Sequence, residues 1–435
     1  MGSESADPTG GGLAVVVALL VAILSKEYLK RTPLPFTIIM LLFGCLFGFF
    51  LGAGECDVSD IASDVQNATI AESICATLLV QHKCEAVSSC MWDPLFYKND
   101  MAVLNILSHS VTVWTTMDPH LVMYTFLPAL IYASSSSMNF HIFVKSTRQI
   151  FVLAGPGVLI ATFLTGALVL FFQPSDYNWT LSSALALGSM LSATDPVAVV
   201  ALLKEFNAPS NLGIVIEGES LFNDGTAFAI FLICFTALKG ETRDFAESIL
   251  FFLQLAGGGI ALGWTLGAIM VQFIGHTQDG MVEVITTLVF AYGSFIIAEQ
   301  IHVSGVLAVV ILGLEMARSG KPLMTDEHMM HHFWHLMEFI ANVVIFVICG
   351  LQMTNALMQT KDLASDPFQH LAFMALIYII ISIVRIAVIA MLMPLYRWSG
   401  YGVSPSICLI ARFHFHTIVF CFSWRFLLFS IERYE

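Results

Sequence analysis

Charge is what this sequence lacks most. Only 11% of its 435 residues are Asp, Glu, Lys or Arg, against 57% hydrophobic residues. A soluble globular domain carries roughly 25% charged residues, so this chain has too few to cover a water-facing surface. Apolar stretches of about 18 or more residues, long enough to cross roughly 30 Å of hydrocarbon, recur along almost the whole length. The composition therefore predicts an all-α polytopic membrane protein built around one membrane domain.

Basic runs and paired cysteine motifs are lacking too. The formal net charge is −14, and no basic run suggests a nucleic-acid partner. None of the nine cysteines forms a CxxC pair, which weakens a metal interpretation. Four cysteines nevertheless share one polar stretch, which favours two disulfides on an oxidising side of the membrane, with three pairings open. They are Cys56, Cys75, Cys84 and Cys90.

Hydropathy predicts twelve membrane spans. They lie near 12–28, 34–53, 119–135, 149–172, 180–203, 212–238, 249–274, 281–298, 302–317, 333–352, 370–396 and 404–430. The predicted organisation is a tail over 1–11, a transmembrane domain over 12–430 and a tail over 431–435. Residues 54–118 form the extracellular cysteine-containing loop of that domain. The first apolar run has no basic residues before it, so it reads as a retained helix and not as a cleaved signal.

The distribution of Lys and Arg orients these spans. One set of alternate loops is denser in basic residues and is predicted to be cytoplasmic, which puts the N-terminus outside. The sequons at Asn67 and Asn178 both fall on the outer side, as does the cysteine loop. We therefore expect a multi-pass protein of the plasma membrane, with these two asparagines as candidate glycosylation sites.

Carboxylates inside two adjacent spans point to the site. In the first, Thr194 and Asp195 precede Pro196, which has no N–H, so the carbonyl of Ser192 loses its helical donor. The span should be interrupted at mid-membrane, where freed carbonyls and the side chains of Thr194 and Asp195 would converge as hard oxygen donors.

The second polar span predicts the exchanging group. Glu219 and Asn223, with Ser220 and Asp224 one residue on, form a polar stripe at helical spacing. Desolvation raises the pKa of a buried Asp224, whereas a bound cation stabilises its ionised form, so proton and cation compete for one carboxylate. Alternating access turns that competition into antiport. The structural alternative is a hydrogen-bonded cluster that only holds helices together.

At these residues the chain resembles the sodium/proton exchangers of the monovalent cation:proton antiporter-1 family, above all the plant salt-overly-sensitive type. The resemblance rests on four stretches and covers roughly residues 12–400. They are Asp118 to Leu130, Leu191 to Phe206, Ile216 to Thr226 and Phe339 to Phe346.

The resemblance implies a fold of about thirteen helices, with inverted repeats, broken crossing helices and a homodimer. It implies that Asp224 binds Na⁺ or H⁺, with Asn223 as its supporting amide and Thr194, Asp195 and Ser220 lining the ion site. It also implies a structural ion pair between Glu219 and Arg385, electroneutral exchange, and no cofactor beyond the transported ions. Na⁺, K⁺ and Li⁺ all remain open as the cation.

Departures from the family keep other functions open. Ala133 stands where relatives often carry Glu, and no Arg-Gly motif occurs in the last thirty or so residues, which look foreign to the family. A truncated, non-transporting or regulatory isoform or partner subunit is therefore the alternative to a transporter. An intramembrane aspartyl protease would need a Gly-x-Gly-Asp motif, and a channel a pore-loop signature; neither is present.

A histidine cluster is the weaker signal. His328, His331, His332 and His335 recur at spacings of three and four on a predicted cytoplasmic helix. A pH sensor or a metal site is conceivable, but an interfacial polar stretch is the favoured interpretation.

Overall fold

The computed structural model describes residues 17–23, 25, 36–51, 114, 119–173, 179–193, 210–240, 244–359 and 367–397. Every regular element in these ranges is helical, which confirms the all-α prediction for this part of the chain. We number eleven α-helices: α1 Phe36–Leu51, α2 Pro119–Ser137, α3 Phe140–Val152, α4 Val158–Phe172, α5 Leu181–Ser192, α6 Ser210–Leu238, α7 Phe245–His276, α8 Gly280–Gln300, α9 Gly305–Glu315, α10 Glu327–Gln359 and α11 Pro367–Arg397.

Six helical segments are long and apolar enough to cross a membrane. They are Phe140–Phe172, Asn211–Leu238, Ala246–His276, Gly280–Gln300, Glu327–Thr354 and Ala372–Leu392. Shorter apolar helices cover Ile39–Gly48 and Leu181–Ser192. Each of these eight segments overlaps a predicted span, while the predicted last span, 404–430, lies outside the described residues.

One span begins earlier than predicted. Hydropathy starts it at residue 149, whereas the helix begins at Phe140, after Asn139 in an extended conformation. Lys145 and Arg148 lower the mean hydropathy of this amphipathic extension, so hydropathy alone does not assign it to the span. Pro156 would normally interrupt the helix because it lacks an N–H. Here it lies in a π-helical turn, Leu153–Gly157, that joins α3 to α4.

The chain divides into two compact units. The smaller unit combines residues 1–117 with 343–362. In it α1 and the second half of α10 touch backbone to backbone, because a Cβ added at Gly44 would lie 2.5 Å from the carbonyl oxygen of Val347. The Thr354 hydroxyl donates to the carbonyl of Cys45 at 3.0 Å, which ties the two helices together.

The larger unit combines residues 118–342 with 363–435 and contains the predicted site helices. Part of its core lies where α2, α8 and the start of α10 meet. The rings of Tyr132 and Trp334 are 4.4 Å apart between centroids, and Trp334 Nε1 donates to Thr287 Oγ1 at 3.1 Å. A buried indole N–H needs such a partner, so this contact fixes the start of α10 on the core of the larger unit.

Candidate functional site

Helix α5 is too short to cross a bilayer. It starts after Thr180, whose hydroxyl accepts the N–H of Ser183, and ends at Ser192, with Ala193 already extended at φ −66° and ψ 137°. Twelve residues span about 18 Å, against about 30 Å of hydrocarbon. The helix is thus shorter than a span and ends at the residue whose carbonyl is predicted to lose its donor. Thr194, Asp195 and Pro196 lie outside the described residues.

The Ser192 carbonyl is the point at which three helices meet. Arg385 Nη2, from α11, donates a hydrogen bond to this oxygen. Asn223 Nδ2, from α6, lies 3.5 Å from the same oxygen, a long hydrogen bond. The last carbonyls of a helix lack partners and carry partial negative charge. A guanidinium and an amide donor thus satisfy the broken end of α5, and we call this group the Ser192 junction.

Glu219 supplies the negative charge that Arg385 needs at this depth. Its Oε1 lies 3.7 Å from Arg385 Nη1, and the side chains are 4% and 8% exposed respectively. An arginine that snorkels to the lipid interface would keep its guanidinium in water, so this burial excludes snorkelling. The structure brings together the two residues that the family resemblance implies as an ion pair.

Helix α6 presents two kinds of polar position. Glu219, Ser220 and Asn223 are buried, with exposed fractions of 3%, 4% and 0%. Asp224 and Glu217 are half-buried. These two carboxylates are seven residues apart, which is about two helical turns and places them on one face about 10 Å apart. The helix thus turns Asn223 towards the Ser192 junction and Asp224 towards a more accessible side.

Glu217 is held by a residue that sequence reasoning missed. Ser134, on α2, donates its hydroxyl to Glu217 Oε1 at 2.9 Å. Three residues on, the carbonyl of Ser137 lies 3.4 Å from Lys321 Nζ. Burial lowers the pKa of the Lys321 ammonium, and the nearby Glu327 carboxylate counteracts the effect. The run of four serines from Ser134 was the only sequence signal of this contact.

Glycines allow the site helices to approach closely. A Cβ added at Gly188, on α5, would lie 2.6 Å from the carbonyl oxygen of Thr162, on α4. A Cβ added at Gly225, next to Asp224, would lie 2.7 Å from Cγ of Leu307, on α9. Side chains larger than hydrogen cannot fit at either contact without movement. The end of α5 therefore depends on a contact with the backbone of α4, and α6 on a contact with the side chain of Leu307.

Other predicted features are separate from this site or lie outside the described residues. The four histidines of α10 are exposed, and no group of three or more metal-ligating side chains occurs within the described ranges. His335 Nδ1 lies 3.7 Å from Glu338 on its own helix, which fits a polar stretch. The cysteine and sequon predictions fall on residues outside the description: Cys56, Cys75, Cys84, Cys90, Asn67 and Asn178.

Broken helices that meet near the middle of the bilayer are how many secondary transporters build their ion sites. The Ser192 junction contains one such helix end, that of α5, with a half-buried carboxylate, Asp224, beside it. The fold and the junction thus define a polytopic protein of the secondary-transporter type.

The comparisons with known proteins agree. A family model for the transmembrane region of sodium/hydrogen exchangers matches residues 15–425, so the chain belongs to that family. The match extends to residue 425 and therefore corrects the expectation that the last thirty or so residues are foreign to the family.

Relatives include plant and bacterial proteins. Sodium/hydrogen exchanger 7 of Arabidopsis thaliana is 36% identical over 305 residues, which are 69% of this chain and 26% of that protein. The Na⁺/H⁺ antiporter NhaP of Pseudomonas aeruginosa is 35% identical over 238 residues, which are 53% of this chain and 56% of that protein. This chain thus spans well under two thirds of the length of these relatives.

A solved structure shares the fold. The sodium proton antiporter MjNhaP1 of Methanocaldococcus jannaschii aligns with 97% of this chain and 96% of its own, with a TM-score of 0.56 and 16% identity. At that identity the likeness supports the antiporter fold alone.

Proposed function

We propose that this chain exchanges Na⁺ for H⁺ across a membrane by alternating access. The observation that carries the proposal is the Ser192 junction: a helix too short to span the membrane, capped at its end by Arg385 and Asn223, next to the half-buried carboxylate of Asp224. Plant and bacterial relatives named as sodium/hydrogen exchangers and Na⁺/H⁺ antiporters support the choice of ions. K⁺ and Li⁺ remain alternative cations.

In this mechanism Asp224 is the group for which proton and cation compete. Desolvation favours the protonated carboxyl, and a bound cation favours the carboxylate, so each ion releases the other. Asn223 supports the site by linking α6 to the Ser192 carbonyl. Thr194, Asp195 and Ser220 are proposed to supply further oxygens to the cation. Exchange of one charge for one charge makes the cycle electroneutral.

The Glu219–Arg385 pair has a structural role in this proposal. The charges of Glu219 and Arg385 compensate one another, so the pair does not change the net charge of the ion site. Breaking a buried pair leaves an uncompensated charge, at a cost of about 3–5 kcal/mol. We therefore assign the pair to holding α6 and α11 at the broken end of α5.

The decisive test is sodium-driven proton movement in proteoliposomes loaded with a pH-sensitive dye. A sodium pulse should dissipate an acid gradient with the wild-type protein, whereas Asp224→Asn should abolish the response. Asp279→Asn is the matched control, because Asp279 caps α8 outside the site and asparagine caps helices equally well. Equal sodium-driven flux with wild type and Asp224→Asn would refute the assignment of the site.

A non-transporting partner subunit or regulatory isoform is the second candidate function. The lack of an Arg-Gly motif in the last thirty or so residues favours it. It predicts a well-folded protein without sodium-driven flux that co-purifies with a longer relative. Flux with each cation, with and without an added C-terminal segment from a longer relative, separates the two functions.

The remaining features complete the proposal. We infer a transporter and not an enzyme, without a cofactor, that acts as a homodimer in the plasma membrane with its N-terminus outside. The transmembrane domain would run over 12–430, with tails at 1–11 and 431–435. Two disulfides in the outer loop, 54–118, and glycans at Asn67 and Asn178 are part of this topology.

A further inference from the structure

Thr162 lies at a close approach of α4 and α5. It is 1% exposed, and its carbonyl oxygen is the atom that a Cβ at Gly188 would meet at 2.6 Å. One turn further along α4, Gly166 offers a similar close approach, because a Cβ there would lie 3.1 Å from the carbonyl oxygen of Ala184. The last turns of α5 therefore rest directly on the backbone of α4 around Thr162.

The hydrogen bond between Thr162 and Ser192 has a defined direction. Thr162 Oγ1 lies 3.2 Å from Ser192 Oγ, and Ser192 Oγ donates to the carbonyl of Ser189 at 2.7 Å. A serine hydroxyl has only one proton to donate. With the Ser192 proton placed on the Ser189 carbonyl, we assign Thr162 as the donor to Ser192. The result is an ordered chain from Thr162 through Ser192 to the backbone of α5.

The hydrogen bond from Thr162 matters for the position of Ser192 because Ser192 is the last residue of α5. Beyond it Ala193 is extended, so no further turn of α5 restrains it. The same residue presents the carbonyl that accepts from Arg385 and lies 3.5 Å from Asn223 Nδ2. A shift of Ser192 would therefore change the geometry of both donors at once.

We propose that Thr162 is a positioning residue for cation exchange. Its hydroxyl fixes the broken end of α5, and through the Ser192 carbonyl it fixes Asn223 beside Asp224, without touching the cation itself. The inference rests on the proposed antiport function. It predicts that loss of the hydroxyl weakens cation binding more than it slows the transport cycle.

The test compares three α4 variants in the proteoliposome assay. Thr162→Val keeps the shape and removes the donor, Thr162→Ser keeps the donor, and Thr165→Val makes the same change at a buried threonine one turn away. Thr162→Val should raise the apparent KM for Na⁺ about 3–10-fold, the factor that corresponds to one hydrogen bond, and shift the pH profile, with a maximal rate within about twofold. Thr162→Ser and Thr165→Val should keep the wild-type KM.

Ser192→Ala is the second route, since it removes the acceptor and keeps the backbone carbonyl. It should raise the KM as Thr162→Val does, and the double variant should add nothing further. If Thr162→Val does not fold, the KM of Ser192→Ala decides alone.

Two results would overturn the inference. One is an unchanged KM and pH profile in the variants that lack the hydroxyl pair, even if their stability falls. The other is an equal defect in Thr162→Ser, which would assign the effect to side-chain volume. Absence of flux in the wild-type protein is a different outcome, because it defeats the proposed function and this inference with it.

Discussion

Replacement of Arg385 by methionine should destabilise the protein far more than loss of a surface ion pair. The substitution leaves Glu219 as a buried charge without its guanidinium, at about 3–5 kcal/mol. It also removes a donor from the Ser192 carbonyl, which among the described residues then keeps the long contact of Asn223. The costs of the broken ion pair and of the lost donor do not simply add. We therefore expect the free energy of unfolding to fall by about 5 kcal/mol, the upper end of the range for a broken buried pair.

Glu219→Gln should be milder. Glutamine keeps an acceptor oxygen, and the guanidinium of Arg385 retains the Ser192 carbonyl at the negative end of α5. We expect a loss of about 2 kcal/mol, within the range of a hydrogen bond to a charged group. The double variant, Glu219→Gln with Arg385→Met, should be more stable than Arg385→Met alone, because it leaves no buried charge.

Unfolding by SDS in mixed micelles, followed by tryptophan fluorescence, measures these differences. Arg318→Met is the matched control, since Arg318 pairs with Glu315 at 3.4 Å but is 53% exposed. Such a pair contributes at most about 1 kcal/mol. Our reasoning would fail if Arg385→Met and Arg318→Met cost the same, or if the two single effects simply added in the double variant.

Three further predictions concern packing around the site. Gly225→Ala should slow exchange because its Cβ would lie 2.7 Å from Leu307 Cγ. The double variant with Leu307→Ala should recover the flux. Failure to recover it would contradict the steric explanation. Gly188→Ala should lower the thermal unfolding temperature, because its Cβ would lie 2.6 Å from a carbonyl oxygen. Gly213→Ala is the control. It has open space around it and should leave that temperature unchanged or raise it. Trp334→Phe should cost about 1 kcal/mol by removing the indole donor, and unchanged unfolding in the micelle assay would rule that out.

The sequence predicted the helices and the break because both depend on local chemistry. Long apolar runs indicate spans whatever their neighbours are. Pro196 removes a donor from Ser192 through the covalent structure alone, and α5 does end at Ser192. The start of α3 at Phe140 was missed because Lys145 and Arg148 lie on a helix that extends the span, and hydropathy cannot separate such an extension from a loop.

Local sequence chemistry did not predict which residues of the site contact one another. The burial cost of a lone Arg385 required an anion somewhere, and only the resemblance to a family indicated Glu219. That Arg385 and Asn223 both reach the Ser192 carbonyl could not be read from the sequence, because the three residues are brought together by three separate helices. The hydroxyls of Ser134 and Thr162 look like ordinary small polar residues in apolar helices until their partners are seen.

By itself the sequence determined that this is a polytopic helical membrane protein with carboxylates in adjacent spans and a helix broken before Pro196. These properties follow from hydrophobicity and backbone chemistry, which act within a single segment. Only the tertiary structure decided which groups satisfy the broken end of α5 and which face of α6 carries Asp224. Those features are set by helix packing. Close contacts at glycines, such as the contact of Gly188 in α5 with the backbone of α4, determine which side chains come within hydrogen-bonding distance.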